Sequence, residues 1–590
     1  MGWVLAVALL GGCALERPAP RPVAATTVAP VPDAGRTVQV TVLAFNDFHG
    51  SLLPQDGGAI DLPDAPGSAR MRRVGVGGAA WLGALIAQQR SSNPHTLVLS
   101  AGDLIGASRL TSAMFRDEPT IEAMNLIGLD ANVVGNHEFD KGRGELDRQA
   151  KGGCAARALD SPLGSCEGPH GAYQGARFAF LAANVLDGSG QPIHPAYIVR
   201  QYGDVKVGVI GVVTRTTPTI VSPDGVAGLR FDDEAAAVNG VVAQLRSQGV
   251  EAIVVVMHEG GQANLRNGPD ERCVNARGEG FQIVDRLDRA VDLVIAGHTH
   301  QVYNCVHNGI RVIQAGSAGR LLSRIDLKID RVSRDVVSGS LVARHLPVLN
   351  GLNPDPATAA VHPPLAPLPK VAALVAHYSA LAAPRIDREV GRLAGPFTRN
   401  PSAGGDHAAG RLVADAYQAA TAGAGKGNAL IAFVNPGAVR TNLSPGAPDG
   451  AVSYGAVFQL QPFGNSLVTM SLSGAQIRAL LEQQWAGANA AEARVLQPSA
   501  GFSYAWRADA PAGGKVLADS VRLHGQPIDP AALYRVTVNS FMAEGGDGFT
   551  VLREGTERLG GPQDVDAVLA WLKARSSASP DRVARITRRD

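Results

Sequence analysis

The chain has 590 residues, more than one hydrophobic core normally accommodates, so its length predicts at least two domains. Lysine and arginine together number 54 against 53 aspartates and glutamates, so no net charge draws the protein toward nucleic acid or an anionic lipid surface. A small anionic ligand would therefore need a local binding site.

The N-terminus carries the pattern of an export signal. Residues 1–12 form an apolar run that is too short to span a bilayer, and Cys13 follows directly. The stretch LGGC at 10–13 resembles a bacterial lipobox, in which the cysteine carries a lipid. A basic n-region is missing, so a simply cleaved or uncleaved apolar end is the alternative. Residues 13–36 are rich in Pro, Ala, Thr and Val and predict a flexible tether.

Four further cysteines form an even set that also favours export. Cys154 and Cys166 lie among Gly, Ser and Pro, whereas Cys273 and Cys305 flank a predicted strand and turn. Two disulfides would use all four, and the alternative is four unpaired core thiols. The sequence leaves the pairing open.

Alternating strand-like and helix-like stretches indicate an α/β domain over residues 37–348. Examples are VQVTVLAF, GGAAWLGALIAQQ and TLVLSAGD, in chain order. Six prolines between 353 and 369 mark a domain boundary, and a helix-like stretch follows at 370–382. We therefore assign residues 349–389 to a linker and hinge helix and residues 390–590 to a second domain.

Five stretches of the first domain share one layout, in which an apolar strand ends and Asp, Asn or His follows at once. They are TVLAFNDFHG with Asp47 and His49, TLVLSAGD with Asp103, ANVVGNHEFD with Asn136, His137 and Asp140, AIVVVMHEG with His258, and DLVIAGHTH with His298 and His300. The carboxyl ends of parallel strands converge on one crevice, so these side chains are predicted to meet there.

The residue types in these stretches suit divalent metal ions. Borderline cations such as Mn, Fe, Co and Zn accept imidazole nitrogen together with carboxylate or amide oxygen. A single histidine at a strand end is more often a structural residue, but five such stretches in one order favour a metal centre.

The pattern D-x-H, GD, GNHE, H and GH-x-H resembles the calcineurin-like metallophosphoesterases, and NDFHG with GNHEFD resembles the 5'-nucleotidase family of periplasmic nucleotidases and UDP-sugar hydrolases. The resemblance implies a β-sandwich flanked by helices, followed by an α+β substrate-binding domain. It implies two divalent metal ions (Mn, Zn, Co, Fe or Mg), one held by Asp47, His49 and His300, the other by Asn136, His258 and His298, with Asp103 bridging them.

The resemblance also implies a catalytic dyad. His137 would face the transferring phosphoryl group, and Asp140 would orient it; a purely structural role for His137 is the alternative. Two cations can clamp the attacking and leaving oxygens of an in-line displacement and lower the pKa of a bound water from about 15.7 to near 7. A protonated histidine would meet charge developing on the phosphate.

Three stretches of the second domain, FVNPGAVR, LQPFGNSL and VNSFMAEGGDGF, resemble the family's nucleoside site. The resemblance implies that Phe463 and Phe541 sandwich the base, that Asn435 and Asp547 bind the ribose or base edge, and that Arg440 contacts the nucleotide. Asn465 lies within the same PFGN match and is included in the predicted substrate site.

The substrate range stays open at this stage. Arg399 falls where some relatives carry a substrate arginine, but the second arginine found four residues later is Ala403 here. The lower positive charge favours monophosphates over diphosphates or nucleotide sugars.

The sequence thus predicts an exported, lipid-anchored, monomeric phosphohydrolase of the bacterial envelope that acts on nucleoside 5'-monophosphates, with no nucleic-acid polymer as partner. The alternatives are a nucleotide-sugar or NAD pyrophosphatase, a 2',3'-cyclic nucleotide phosphodiesterase, or a non-catalytic nucleotide-binding lipoprotein.

Overall fold

The computed structural model describes residues 35–65, 68–156, 163–221, 223–264, 271–352, 356–490, 493–581 and 583–590. Residues 1–34, which contain the predicted signal and Cys13, lie outside the described residues. Within the described part of the chain, no helix is both long and apolar enough to cross a membrane.

Two six-stranded sheets form the first half of the described chain. The strands of the first sheet lie in the order Val342–Pro347, Leu321–Asp330, Thr37–Phe45, Thr96–Ser100, Ala131–Val133 and Ala179–Leu181. Those of the second sheet lie in the order Val302–His307, Ile310–Ala315, Leu293–Ala296, Ala252–His258, Val205–Val213 and Tyr197–Tyr202. The central strands of both sheets run parallel. Antiparallel strands close both edges of the second sheet and one edge of the first, whose other edge strand, Ala179–Leu181, pairs parallel with Ala131–Val133.

The two sheets pack face to face through alternating apolar side chains. Val38, Val40 and Val42 alternate along one strand and share a buried cluster with Val205, Val207 and Val209 of the other sheet. Because successive side chains of a strand point to opposite faces, the same strands can also bury their outer faces under helices. The arrangement is the predicted β-sandwich flanked by helices.

Helices cover both outer faces of the sandwich. They are Ala79–Ser92, Leu110–Ala113, Glu118–Ile127, Arg143–Lys151, Glu234–Ser247 and Glu279–Asp285. Short paired strands extend from its surface at Ala59–Pro63 with Met71–Gly75, Val185–Leu186 with Arg230–Phe231, and Gln262–Asn264 with Val274–Arg277.

The predicted hinge helix packs on the first domain. Helix Pro369–Ile386 follows the short helix Pro356–Val361 and buries Val371, Leu374 and Tyr378 against helices Ala79–Ser92 and Glu118–Ile127. His377 contacts the carbonyl of Glu167 through Nε2 at 2.7 Å. The helix is therefore held against the first domain by both apolar and polar contacts.

The second half of the described chain is an α+β domain. Its larger sheet has the order Gln497–Pro498, Ile431–Val434, Leu533–Asn539, Ser466–Ser473 and Thr556–Gln563, and a smaller one has the order Gln526–Pro527, Arg522–Leu523, Phe502–Arg507 and Ile586–Arg589. Strands Glu389–Arg392 and Ala451–Ser453 pair beside them. The helices are Ala408–Thr421, Tyr454–Leu460, Gly474–Glu482, Ser540–Ala543 and Asp564–Lys573.

The structure pairs the four described cysteines within the first domain. Cys154 is bonded to Cys166 and Cys273 to Cys305. The first bond closes a loop beside Glu167, the residue whose carbonyl contacts the linker helix.

Candidate metal centre and active-site cavity

The five predicted ligand-bearing stretches converge on one edge of the sandwich. Asp47, Asp103 and Asn136 follow neighbouring strands of the first sheet, whereas His258 and His298 come from neighbouring strands of the second. Both sheets present the carboxyl ends of their parallel strands to this edge. Residues up to 253 positions apart in the sequence therefore share one site.

Two groups of ligand-type side chains lie side by side at this edge. Asp47, His49 and His300 form the first group, with His300 Nε2 3.2 Å from Asp47 Oδ1 and 3.3 Å from His49 Nε2. Asp103, His258 and His298 form the second group.

Asn136 completes the second group, and Asp103 lies between the two. Asn136 Oδ1 is 3.1 Å from His258 Nε2 and 3.0 Å from His298 Nδ1. Asp103 Oδ2 is 3.1 Å from His258 Nε2 and 3.7 Å from His49 Nε2. The structure therefore brings all seven predicted metal ligands together, with Asp103 where a bridging carboxylate would have to lie.

Backbone carbonyls orient two of these imidazole rings. His49 Nδ1 is 2.9 Å from the carbonyl oxygen of Gly106, and His258 Nδ1 is 2.7 Å from that of Ala101. A proton on Nδ1 satisfies each carbonyl and directs Nε2 of each ring toward the neighbouring ligands. Burial acts to lower the pKa of His258, but the carboxylates of Asp103 and Asp47 outweigh it and raise that pKa to about 10, so a metal ion bound there would displace the proton on Nε2. Burial lowers the pKa of His49 to about 4, so its ring is neutral, as a metal ligand must be.

The backbone is left-handed at most of these positions. The φ values are 49° at Asp47, 48° at His49, 48° at Asp103, 67° at His298 and 54° at His300. Such conformations cost a non-glycine residue about 1–3 kcal/mol each, and they persist where the surrounding structure over-determines them, typically at functional sites. Five strained residues at one edge indicate that the fold holds these side chains in place even though the backbone conformation there is unfavourable.

His137 and Asp140 are in contact beside the cluster. His137 Nδ1 lies 3.0 Å from Asp140 Oδ2, in the turn that follows strand Ala131–Val133. Burial acts to lower the pKa of His137, but the carboxylates of Asp140 and Asp103 outweigh it and raise that pKa to about 9. The ring is therefore protonated at neutral pH and carries an N–H on Nε2.

Two supporting residues were missed by the sequence reasoning, although both lie inside the quoted motifs. Glu138 accepts hydrogen bonds from the amides of Gly135 at 2.6 Å, Leu104 at 2.9 Å and Asp103 at 3.0 Å. Asn46 donates to Asp47 Oδ2 at 2.6 Å. In the sequence, Glu138 and Asn46 are marked only by lying beside predicted site residues. Their hydrogen bonds fix the loops that carry the predicted ligands.

A cavity of about 410 Å³ joins the metal-ligand cluster to the second domain. His49, His137 and His300 line it on one side, while Asn435, Arg440, Phe463, Asn465, Phe541 and Asp547 line it on the other. Phe463 and Phe541 are 39% and 49% exposed, although aromatic residues of this size are usually buried. Their exposure into a cavity suits a flat ligand.

Polar contacts fix the second-domain wall. Asn435 Nδ2 donates to Asp547 Oδ2 at 2.7 Å, and Asn539 Nδ2 donates to Asn435 Oδ1 at 3.0 Å. The Arg440 guanidinium carbon lies 5.6 Å from the centre of the Phe463 ring. Arg399 does not line the cavity; its side chain donates to the carbonyl of Arg440 at 3.3 Å.

Three cavity arginines were missed by the sequence reasoning. Arg109 and Arg320 come from the first domain, and Arg494 from the second. None lies in a motif, and an arginine after a loop is usually solvated, so no local signal could have found them.

Comparisons with known proteins match both halves of the chain. The profile of the calcineurin-like phosphoesterase family matches residues 40–302, and that of the 5'-nucleotidase C-terminal domain matches residues 389–554. A Bacillus subtilis endonuclease is 31% identical over 91% of this chain, but the chain spans only 40% of that protein's length. A 5'-nucleotidase from Vibrio cholerae is 25% identical over 98% of this chain and 96% of its own.

The fold also matches a solved structure. NAD nucleotidase from Haemophilus influenzae has a TM-score of 0.62 and 19% identity, covering 94% of this chain and 100% of its own.

The first domain is a sandwich of two sheets whose strands end in carboxylate, amide and imidazole side chains. Together with the family match, this arrangement defines it as a metallophosphoesterase domain. With the matching second domain, the chain belongs to the 5'-nucleotidase family. The resemblance and fold class inferred from the sequence are confirmed.

Proposed function

We propose that this protein releases phosphate from nucleoside 5'-monophosphates with the help of two divalent cations. One observation supports it above all others: the metal-ligand cluster and the two exposed phenylalanine rings line the same cavity from different domains. A molecule with a phosphate at one end and a flat ring at the other fits that arrangement.

The donor set fits two cations. One cation would be held by Asp47, His49 and His300, and the other by Asn136, His258 and His298, with Asp103 binding both. Backbone carbonyls contact Nδ1 of His49 and of His258, which favours the tautomer in which Nε2 binds the metal. When bound, such cations supply Lewis-acid charge that activates water and neutralises phosphate oxygens. Imidazole with oxygen donors favours Mn, Fe, Co or Zn over Ca.

His137 would act on the phosphate itself. Its Nδ1 is held by Asp140, so the protonated ring can donate from Nε2 to a phosphate oxygen as negative charge develops there. Asp140 is a positioning residue, because it contacts the ring and not the cavity.

Recognition of the nucleoside would rest on the second domain. Phe463 and Phe541 would stack on the base, and each stacked ring contributes about 1–3 kcal/mol with little selectivity among bases. Asp547 and Asn435 hold each other in place and would accept from and donate to ribose hydroxyls or the base edge. Arg440, beside Phe463, would contact the phosphate ester.

Phosphate release by the purified chain tests this proposal. Mn, Co, Zn or Mg would be added in turn, with AMP, UMP, ADP, UDP-glucose, NAD and 2',3'-cyclic AMP as substrates. The proposal expects the highest kcat/KM for a 5'-monophosphate. A preference for NAD or UDP-glucose would favour a pyrophosphatase, and a preference for the cyclic nucleotide a phosphodiesterase. No release from any substrate with any metal would contradict the enzymatic assignment and leave a nucleotide-binding protein.

We also propose an envelope location with Cys13 as a lipid attachment site. The disulfides Cys154–Cys166 and Cys273–Cys305 support export, because such bonds persist in oxidising compartments. Cys13→Ser should move the protein from the membrane fraction to the soluble fraction. A Cys13→Ser protein that stays in the membrane fraction would exclude this anchor.

A further inference from the structure

We propose that Asp564 is a positioning residue that couples the base-stacking loop of the second domain to the His137–Asp140 pair of the first. The base-stacking loop is the segment 462–465, which carries Phe463. This inference rests on the proposed function and adds to it a residue that lies outside the cavity. Any effect of Asp564 on turnover must therefore act through its neighbours.

Asp564 holds the base-stacking loop through three hydrogen bonds to Asn465. Its Oδ2 accepts from the backbone amide of Asn465 at 3.2 Å and from the side-chain Nδ2 at 3.3 Å. Its own backbone amide donates to the carbonyl of Asn465 at 2.8 Å. Asn465 lines the cavity two residues after Phe463. Asp564 therefore fixes both the backbone and the side chain at the end of this loop.

Asp564 is an acid in a position that is unfavourable for its charge. The residue is 0% exposed, and within the described ranges its carboxyl oxygens accept only from amide groups of Asn465 and Val565. Burial raises the pKa of this carboxyl to about 7. Because burying an acid without a cation costs stability, Asp564 is better explained by what it holds in place than by a gain in folding.

The residue directly before Asp564 reaches the proposed catalytic pair. Gln563 Nε2 donates to Oδ2 of Asp140 at 2.7 Å. The same Oδ2 lies 3.0 Å from Nδ1 of His137. Two consecutive residues of the second domain therefore bind Asp140 on one side and the base-stacking loop on the other.

The base-stacking loop reaches the same carboxylate by a second route. A Cβ added at Gly464 would lie 2.7 Å from Cα of Ala107, so the two backbones are in direct contact. The amide of Ala107 donates to Oδ2 of Asp140 at 3.1 Å. Nearby, Nη1 of Arg109 donates to the carbonyl of Pro462 at 3.3 Å. The base-stacking loop therefore packs on the first-domain loop that binds Asp140.

Together these contacts form a closed circuit across the domain interface. Its members in order are Asp140, Gln563, Asp564, Asn465, Gly464 and Ala107. Both routes end on the same oxygen of Asp140, and the bond from Asp564 to Asn465 joins them. A shift of Phe463 on nucleotide binding would therefore be transmitted to the carboxylate that holds His137.

The test is a double-mutant cycle in kcat for AMP, measured on the metal-loaded protein. Asp564→Ala and Gln563→Ala should each lower kcat by about tenfold. The double variant should stay within about threefold of the slower single variant, because both residues act through Asp140. A larger loss, approaching the product of the two single effects, would show that they act independently and would overturn the coupling.

Two further variants separate positioning from loss of stability. Asp564→Asn keeps an oxygen that can accept from Asn465, so its kcat should return to within about threefold of wild type. Thr469→Val removes a buried hydroxyl that lies 2.7 Å from that of Thr537 in the same sheet, outside the circuit, and should keep the wild-type kcat. Equal losses of kcat in Thr469→Val and Asp564→Ala would assign the effect to destabilisation and overturn the proposal.

Hydrogen exchange keeps this proposal separable from the proposed function. The amide of Ala107 belongs to the first domain, so its exchange reports the circuit without any turnover. Mass spectrometry of peptides containing Ala107 should show exchange at least about fivefold faster in Asp564→Ala than in wild type. An unchanged rate would overturn the coupling and leave the proposed function standing. Absence of turnover in wild type would overturn the proposed function, and the exchange rate would then decide the coupling on its own.

Discussion

Gln563 Nε2 donates to Asp140 Oδ2 at 2.7 Å, so the second domain touches the carboxylate that holds His137. Gln563 ends strand Thr556–Gln563, whereas Asp140 also accepts from the amide of Ala107 at 3.1 Å. Residues of both domains therefore donate hydrogen bonds to Asp140.

Removing this contact should slow turnover without releasing metal. In Gln563→Ala, Asp140 loses one charge-assisted donor, so we expect kcat for AMP to fall by roughly tenfold, equivalent to about 1.4 kcal/mol. Gln526→Ala, an exposed glutamine of the same domain, serves as the control. A Gln563→Ala enzyme with unchanged kcat would show that the contact does not position Asp140 during turnover.

Asp103→Ala should remove both metals, whereas His137→Ala should keep them. Asp103 Oδ2 is within 3.7 Å of ligand nitrogens from both groups, and its loss leaves the two cations unshielded from each other. His137 does not belong to either group, so its loss should reduce mainly kcat. Elemental analysis of the purified variants decides the point, and two metals per chain in Asp103→Ala would contradict the bridging assignment.

Phe463→Ala and Phe541→Ala should each weaken nucleotide binding by about 1–3 kcal/mol. Hydrolysis of p-nitrophenyl phosphate should be affected much less, because that ester needs the metal centre and not the proposed base site. The measurement is the ratio of kcat/KM for AMP to that for the base-free ester. Equal losses on both substrates would assign the two rings to packing.

Gly560 marks a close approach of the domains. A Cβ added there would lie 1.6 Å from the carbonyl oxygen of Val221 in the first domain, whereas one added at Gly561 would meet only Leu467 and Thr421 of its own domain, at 3.3 Å or more. Gly560→Ala should therefore hinder domain closure and reduce kcat/KM for AMP by tenfold or more. Gly561→Ala is the matched control, and equal activity of the two variants would indicate that closure to this extent is not required.

Asp292 gives a pH-dependent stability prediction away from the site. Burial raises its pKa to about 7, although its carboxylate accepts from the amide of Ile253 at 2.8 Å. Because the folded state holds the proton more tightly than the unfolded state, stability is greatest below pH 4 for this group and is lost as the pH rises to about 7. Asp292→Asn should thus gain roughly 1–3 kcal/mol relative to wild type between pH 4 and pH 8. Urea unfolding at the two pH values measures it, and a constant difference between the proteins would refute it.

The positions of the seven proposed metal ligands and of the His137–Asp140 pair could be predicted from the sequence. Each lies just beyond a short apolar strand, and parallel strands bring their carboxyl ends together whatever the sequence separation. The nucleoside wall was predictable through the resemblance alone, since an exposed Phe463 has no local pattern that separates it from a core residue.

The sequence by itself determined the two-domain organisation, the α/β character of the first domain and the donor chemistry, because strand periodicity and ligand type are local properties of the chain; the sandwich arrangement was implied only by the family resemblance. Only the tertiary structure decided that Gln563 reaches Asp140, that Gly560 meets Val221, and that Arg109 donates to the carbonyl of Pro462 in the other domain. These relationships depend on how two domains and several loops come together in space. Each of these residues has ordinary neighbours in the sequence. Its role therefore depends on which residues the fold brings beside it and not on a pattern along the chain.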